Sequence, residues 1–107
     1  MKLYFYILER PYNENPFVRF EECDVIEKPK TYYPKDKFPR GVYNAYISKS
    51  DIGHISGYSS NLVVLTESNA KLAREIFAKM YESNVRRAQA SLLEAKTMLN
   101  VILEMEE

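Results

Sequence analysis

The sequence predicts an α+β protein: a small antiparallel sheet of about four strands, followed by one long C-terminal amphipathic helix. Three observations predict it. Nine Tyr and five Phe occur in 107 residues, and all but Phe77 and Tyr81 precede residue 59; aromatics favour pleated, half-buried surfaces. Apolar residues alternate up to Leu65 and then recur at helical spacing. No proline or glycine interrupts Glu67 to Met105.

Each element follows in order. Lys2–Leu8 reads as a strand, with Leu3, Phe5 and Ile7 on one face and Tyr4, Tyr6 and Leu8 on the other. Both faces are largely apolar, so the strand is interior. Glu9–Pro16 carries two prolines and two asparagines, which is turn chemistry. Phe17–Ile26 reads as a second strand. Val18 and Phe20 share one parity while Cys23 and Val25 share the other, which suggests a bulge around Glu21-Glu22. Glu27–Gly41 holds Pro29, Pro34 and Pro39, and is expected to be an extended loop or an edge. Val42–Ile47 is expected as a third strand. Ser48 to Asp51 has the spacing of a capping box and suggests one helical turn, with Ile52 and Ile55 toward the core. Asn61–Leu65 is the last, short strand.

The helix then begins, with Thr66 or Ser68 as its cap and Glu67 at the positive end of its dipole. Over Glu67–Met105 it would run about 60 Å, against a diameter of about 28 Å for a compact body of the preceding residues. Its first half bears a broad face, Leu72, Ala73, Ile76, Phe77 and Met80, suited to a sheet. Its second half bears a narrower seam, Tyr81, Val85, Ala88, Leu92, Ala95, Leu99 and Ile102, stepping by alternating fours and threes. We therefore divide the chain into an α+β domain, residues 1–80, and a helical oligomerisation extension, residues 81–107. A straight helix pairing with a second copy in a homodimer is preferred. The other arrangement is a hairpin broken near Ser83-Asn84, where no glycine or proline marks a turn.

Composition narrows the function classes. Fifteen basic and fifteen acidic side chains leave no net charge, unlike the positive balance of general nucleic-acid binders, although a local patch remains open. One Cys and one His allow no internal disulfide and no cysteine-based zinc site. No stretch is apolar for long enough to span a membrane. The apolar start at Met1–Leu8 is short for a signal peptide, so a cytoplasmic protein is expected.

No catalytic set stands out. A Cys23–His54 pair needs only proximity in space, but Cys23 reads as a small core residue and His54 as a loop residue. Glu21, Glu22 and Asp24 are the only acidic cluster, and a solvated face explains them. Gly41, Gly53 and Gly57 form no phosphate-cradling loop. No cofactor and no metal are expected. The feature above background is Lys28–Arg40, with five basic residues, one acid, and Tyr32, Tyr33 and Phe38 interleaved. Lys30, Tyr32, Tyr33, Lys35, Lys37 and Arg40 could hold a nucleotide or a single strand by stacking beside a basic groove. Lysines guarding a sheet edge make the same pattern.

Val25–Tyr32, Ile47–Gly53 and Val64–Phe77, under a third of the chain, resemble small uncharacterised phage and prophage proteins of Gram-positive bacteria. In those, a short β region with a similar EKPKTY and LTE-x-N wording precedes a long charged helix. The resemblance carries no assigned chemistry. It implies a non-catalytic protein in the cytoplasm of a bacterial host, binding a host protein such as a CRISPR or other defence effector. The competing expectation is a nucleotide or nucleic-acid binder, including a sponge for a nucleotide messenger.

Overall fold

The computed structural model describes residues 1–105. Its strands are β1 Lys2–Glu9, β2 Phe17–Glu27, β3 Thr31–Pro34, β4 Ile47–Ser48, β5 Ile55–Ser56 and β6 Leu62–Leu65. One helix, α1, spans Ala70–Leu103. The strands form a single curled sheet in the order β4-β3-β2-β1-β6-β5, all neighbours antiparallel. By contacts the chain divides into Met1–Phe77 and Ala78–Glu107.

β1 is interior, flanked by β2 and β6, and its alternation fills two cores. On one face Leu3, Phe5 and Ile7 join Cys23, Val25, Tyr32, Phe38, Ile47, Leu62 and Val64. On the other, Tyr6, Val63 and Leu65 pack with Ala73 and Phe77 of the first turns of α1. Each fully buried Leu, Ile, Val or Phe contributes about 1.5–3 kcal/mol through removal from water.

The sheet has six strands among the described residues, more than the four expected, and the physical reasons are local. β3 forms inside the proline-rich segment. Lys28 N–H donates to the Thr31 carbonyl at 2.8 Å, closing a tight turn over Pro29-Lys30. Pro34 pairs with Val25, whose own N–H donates to Met1 at 2.9 Å. The proline therefore occupies a position where the β2–β3 ladder needs no donor. Val42–Ile47 is largely not a strand. Gly41 turns the chain at a φ of +90°, the Val42 N–H donates back to Pro39 at 3.1 Å, and only Ile47–Ser48 joins the sheet.

No bulge occurs in β2. Its register with β1 is unbroken from Phe17↔Glu9 to Asp24↔Lys2. Val18 and Phe20 instead lie on the helix-side face, where Phe20 stacks on Tyr4 at 6.2 Å between ring centres and meets Tyr6 at 5.2 Å. The turn at Lys49–Asp51 is a short 3-10 turn, and Ser48 makes no side-chain cap there. The cap of α1 is Asn69, not Thr66 or Ser68: Leu72 N–H donates to its Oδ1 at 3.0 Å. Asn69 N–H in turn donates to the Tyr6 hydroxyl at 2.9 Å, which ties the helix start to the sheet. α1 is continuous through Ser83-Asn84.

Candidate functional site

The sequence-predicted site residues part company once β3 exists. Thr31–Pro34 alternates across the sheet, so Tyr32 turns into the core at 6% exposure while Tyr33 stays exposed. The Tyr32 ring is covered by the Lys49 ammonium, 5.3 Å from its centre. Tyr33 leans on Tyr46 at 5.7 Å. Lys30 sits at the β2–β3 turn, exposed, its carbonyl accepting from Lys49 N–H at 2.9 Å. Lys35, Lys37 and Arg40, by contrast, come together beyond the end of β3.

These three line a groove of about 670 Å³ beside β2, walled by Glu21, Glu22, Cys23 and Asp24 on one bank and Lys35–Arg40 on the other. Two contacts hold the second bank. Phe38 inserts beside Phe5, with ring centres 5.6 Å apart. Arg19 reaches across to donate to the Arg40 carbonyl. The Arg19 guanidinium also donates to Glu9 at 3.0 Å and to Glu21 at 3.1 Å. Burial pulls its pKa down, but the hydrogen bonds and charges of the two carboxylates outweigh this and hold it above its usual value. On the far face, Lys2 bridges Glu22 at 3.2 Å, and that hydrogen bond is the first reason its pKa is raised, followed by the Glu22 and Asp24 charges. Glu21 and Glu22 are therefore committed within the protein.

Cys23 lies at the groove floor. Its thiol donates to the carbonyls of Asp24 and Lys37, each at 3.5 Å. Burial, and then the charge of Asp24, push its pKa up, which suppresses the thiolate a nucleophile needs. His54 is exposed and precedes β5, which lies three strands across the sheet from β2. Among the described residues, no three of His, Cys, Asp and Glu gather as a metal-ligand set, and no helix is long and apolar enough to cross a membrane.

The helical seam is a second candidate surface, described within Ala78–Glu107. Tyr81 is half-buried, and Ala88 and Ala95 are exposed. Val85, Leu92, Leu99 and Ile102 are each more than half exposed, and so are Leu93, Met98, Val101 and Leu103. Sequence reasoning missed two things in the groove: Arg19 as the residue that anchors the Arg40 bank, and the long flank of β2 itself. The signal for the flank was a length mismatch, since the β2 pattern is much longer than any ladder the proline-rich segment can supply. No protein-family model, no curated protein and no solved structure matches the chain.

Proposed function

We propose that this chain is a small non-catalytic interaction protein, self-associating through its helical seam and engaging a partner protein with the groove beside β2. The observation that carries this is the row of more than half-exposed Val85, Leu92, Leu99 and Ile102 along one helix. A continuous apolar row of that kind marks a surface that is covered in use, and its heptad steps suit a second copy of the same helix. The groove supports the second half of the reading. Its outer bank, fixed to the core by buried Phe38, carries a basic rim of Lys35, Lys37 and Arg40. The resemblance to small phage proteins makes a host factor, such as a defence effector, the partner to test first.

The first test is sedimentation equilibrium, where a mass near twice that of the chain is expected and a monomer at high concentration sinks the seam. The second is capture from a bacterial host lysate with the wild type and with the double variant Lys35→Glu/Lys37→Glu. A discrete host protein retained by the wild type and lost by the variant is expected. A nucleotide binder would instead gain thermal stability with ligand, and a nucleic-acid binder would lose affinity steeply with salt. The burial of Tyr32 weighs against a stacking site in the β3 segment.

A further inference from the structure

We infer that the outer edge of β2, from Val18 to Glu22, is a docking edge for an extended peptide strand in which apolar side chains alternate with acidic ones. This rests on the reading that the chain engages a partner protein, and it supplies the mode of engagement.

The backbone carries the inference. In an antiparallel sheet, successive residues turn their N–H and C=O groups to opposite neighbours. Val25 N–H donates to Met1 at 2.9 Å, so odd-numbered residues of β2 face β1. Asp24 accepts from Lys35 N–H at 3.0 Å, and Lys28 donates to Thr31 at 2.8 Å, so even-numbered residues face the β3 side. β3 pairs only with Val25, Ile26 and Glu27. Past Asp24, the N–H and C=O groups of Val18, Phe20 and Glu22 aim at an edge where, among the described residues, no hydrogen bond meets them. The β1 ladder runs unbroken behind them, so the edge is held rigid rather than frayed. An open edge of this kind is a template for an added strand.

The two faces decide the occupant. After Lys35 the chain leaves the β2 ladder and drops toward the face of Cys23 and Phe5, as the Cys23–Lys37 and Phe38–Phe5 contacts show. A strand of about five residues added to β2 lies in the vacated groove, its side chains alternating. On the Phe38 side, where the Lys37 and Arg40 carbonyls accept from Cys23 and Arg19, they meet Lys37 and Arg40, while Lys35 stands at the end of the groove opposite Asp24; none of the three forms an ion pair among the described residues. Glu21 and Glu22 are already bridged to Arg19 and Lys2. The uncommitted charge is therefore basic, three cations against Asp24 and Asp36, and suits acidic side chains. On the opposite face the added strand lies beside Val18 and Phe20, 49% and 45% exposed, which apolar side chains cover. A second copy of β2 fits less well. Paired about Phe20 it sets Glu22 against Val18, and it gathers Glu9 and Glu21 from both chains around two guanidiniums.

The test uses the full chain, labelled with ¹⁵N, and three synthetic peptides: alternating Val and Glu, alternating Val and Lys, and Val and Glu in separate blocks. The alternating Val/Glu peptide is expected to bind about tenfold more tightly than either control. On binding, the amides of Val18, Phe20 and Glu22 should shift and gain protection from hydrogen exchange. Glu22→Pro removes one outward N–H and leaves the β1 ladder its bonds, so it should weaken binding about tenfold with β1 amide shifts retained. Should that variant not fold, Lys35→Glu/Lys37→Glu serves: it should reverse the preference toward the Val/Lys peptide. Equal binding of all three peptides, or shifts confined to Lys35–Arg40 with the edge amides unmoved, overturns the inference. A host protein captured by wild type and Glu22→Pro alike also overturns it, while leaving the interaction reading standing.

Discussion

Two stretches of α1 are similarly apolar and behave oppositely. Ala73 and Phe77 are buried against Tyr6, Val63 and Leu65 of the sheet. Leu92 and Leu99, on the same unbroken helix, are 56% and 53% exposed. Neither helix propensity nor hydrophobicity separates them. What separates them is that the first turns have a sheet face to cover within Met1–Phe77. The lesson is that a helical apolar stripe reports a demand for burial without saying whether the same chain meets it.

Removing one side chain from each stretch should separate them most clearly. Phe77→Ala should cost about 3–5 kcal/mol, through lost transfer energy and the cavity left behind. Leu99→Ala should cost less than about 0.5 kcal/mol in dilute solution, as exposed substitutions do. Urea unfolding at low protein concentration measures both. At high concentration Leu99→Ala should lower the melting temperature while the wild type gains from self-association, because assembly stabilises by mass action. Similar costs for the two variants in dilute solution would mean that the second stretch is buried within its own chain.

The helix, the two-faced β1 and the core role of Cys23 were legible in the sequence because each follows from local periodicity. Other features depend on register, which no local pattern fixes. Glu27–Gly41 reads as an extended loop or an edge because proline lacks a donor, yet Pro34 falls inside the sheet, where the ladder asks for none. The supposed bulge arose from polar Arg19 and Glu21 sharing a face with Cys23 and Val25. Their mutual ion pair and the Arg19 bond to Arg40 make that face habitable for charge. The basic segment was legible as composition, but the division between buried Tyr32 and the groove-lining Lys35, Lys37 and Arg40 follows only once β3 is paired. The open flank of β2 is likewise a product of strand lengths and pairing, invisible to any window of sequence.

A smaller effect sharpens where the domain-bound part of the helix begins. Asn69→Ala removes the acceptor for Leu72 N–H and should cost about 1 kcal/mol. Thr66→Ala and Ser68→Ala, at exposed positions outside the cap, should fall within about 0.5 kcal/mol of the wild type. Because the backbone N–H of Asn69, which Asn69→Ala retains, donates to the Tyr6 hydroxyl, Tyr6→Phe should lose a comparable amount, and the double variant, whose helix start is already loosened, should lose less than the two losses added together, as coupled neighbours do. Additive losses would detach the helix start from the sheet.

The smallest effect is read at Cys23, which reports on the sheet domain alone. Its thiol is held protonated by burial and by Asp24, so its folded pKa lies above the ordinary 9.0. Between the unfolded and folded pKa values the folded state holds the extra proton, so stability is fully present below about pH 9 and declines as pH rises through the folded value. Wild-type protein should lose stability above pH 9 more steeply than Cys23→Ala, measured by urea midpoints across alkaline pH. Alkylation of the native thiol should be slow at neutral pH and should quicken with Phe77→Ala, which favours opening of the domain, but not with Leu99→Ala in dilute solution. An alkylation rate that follows Leu99 instead would show that the two stretches of the helix open together.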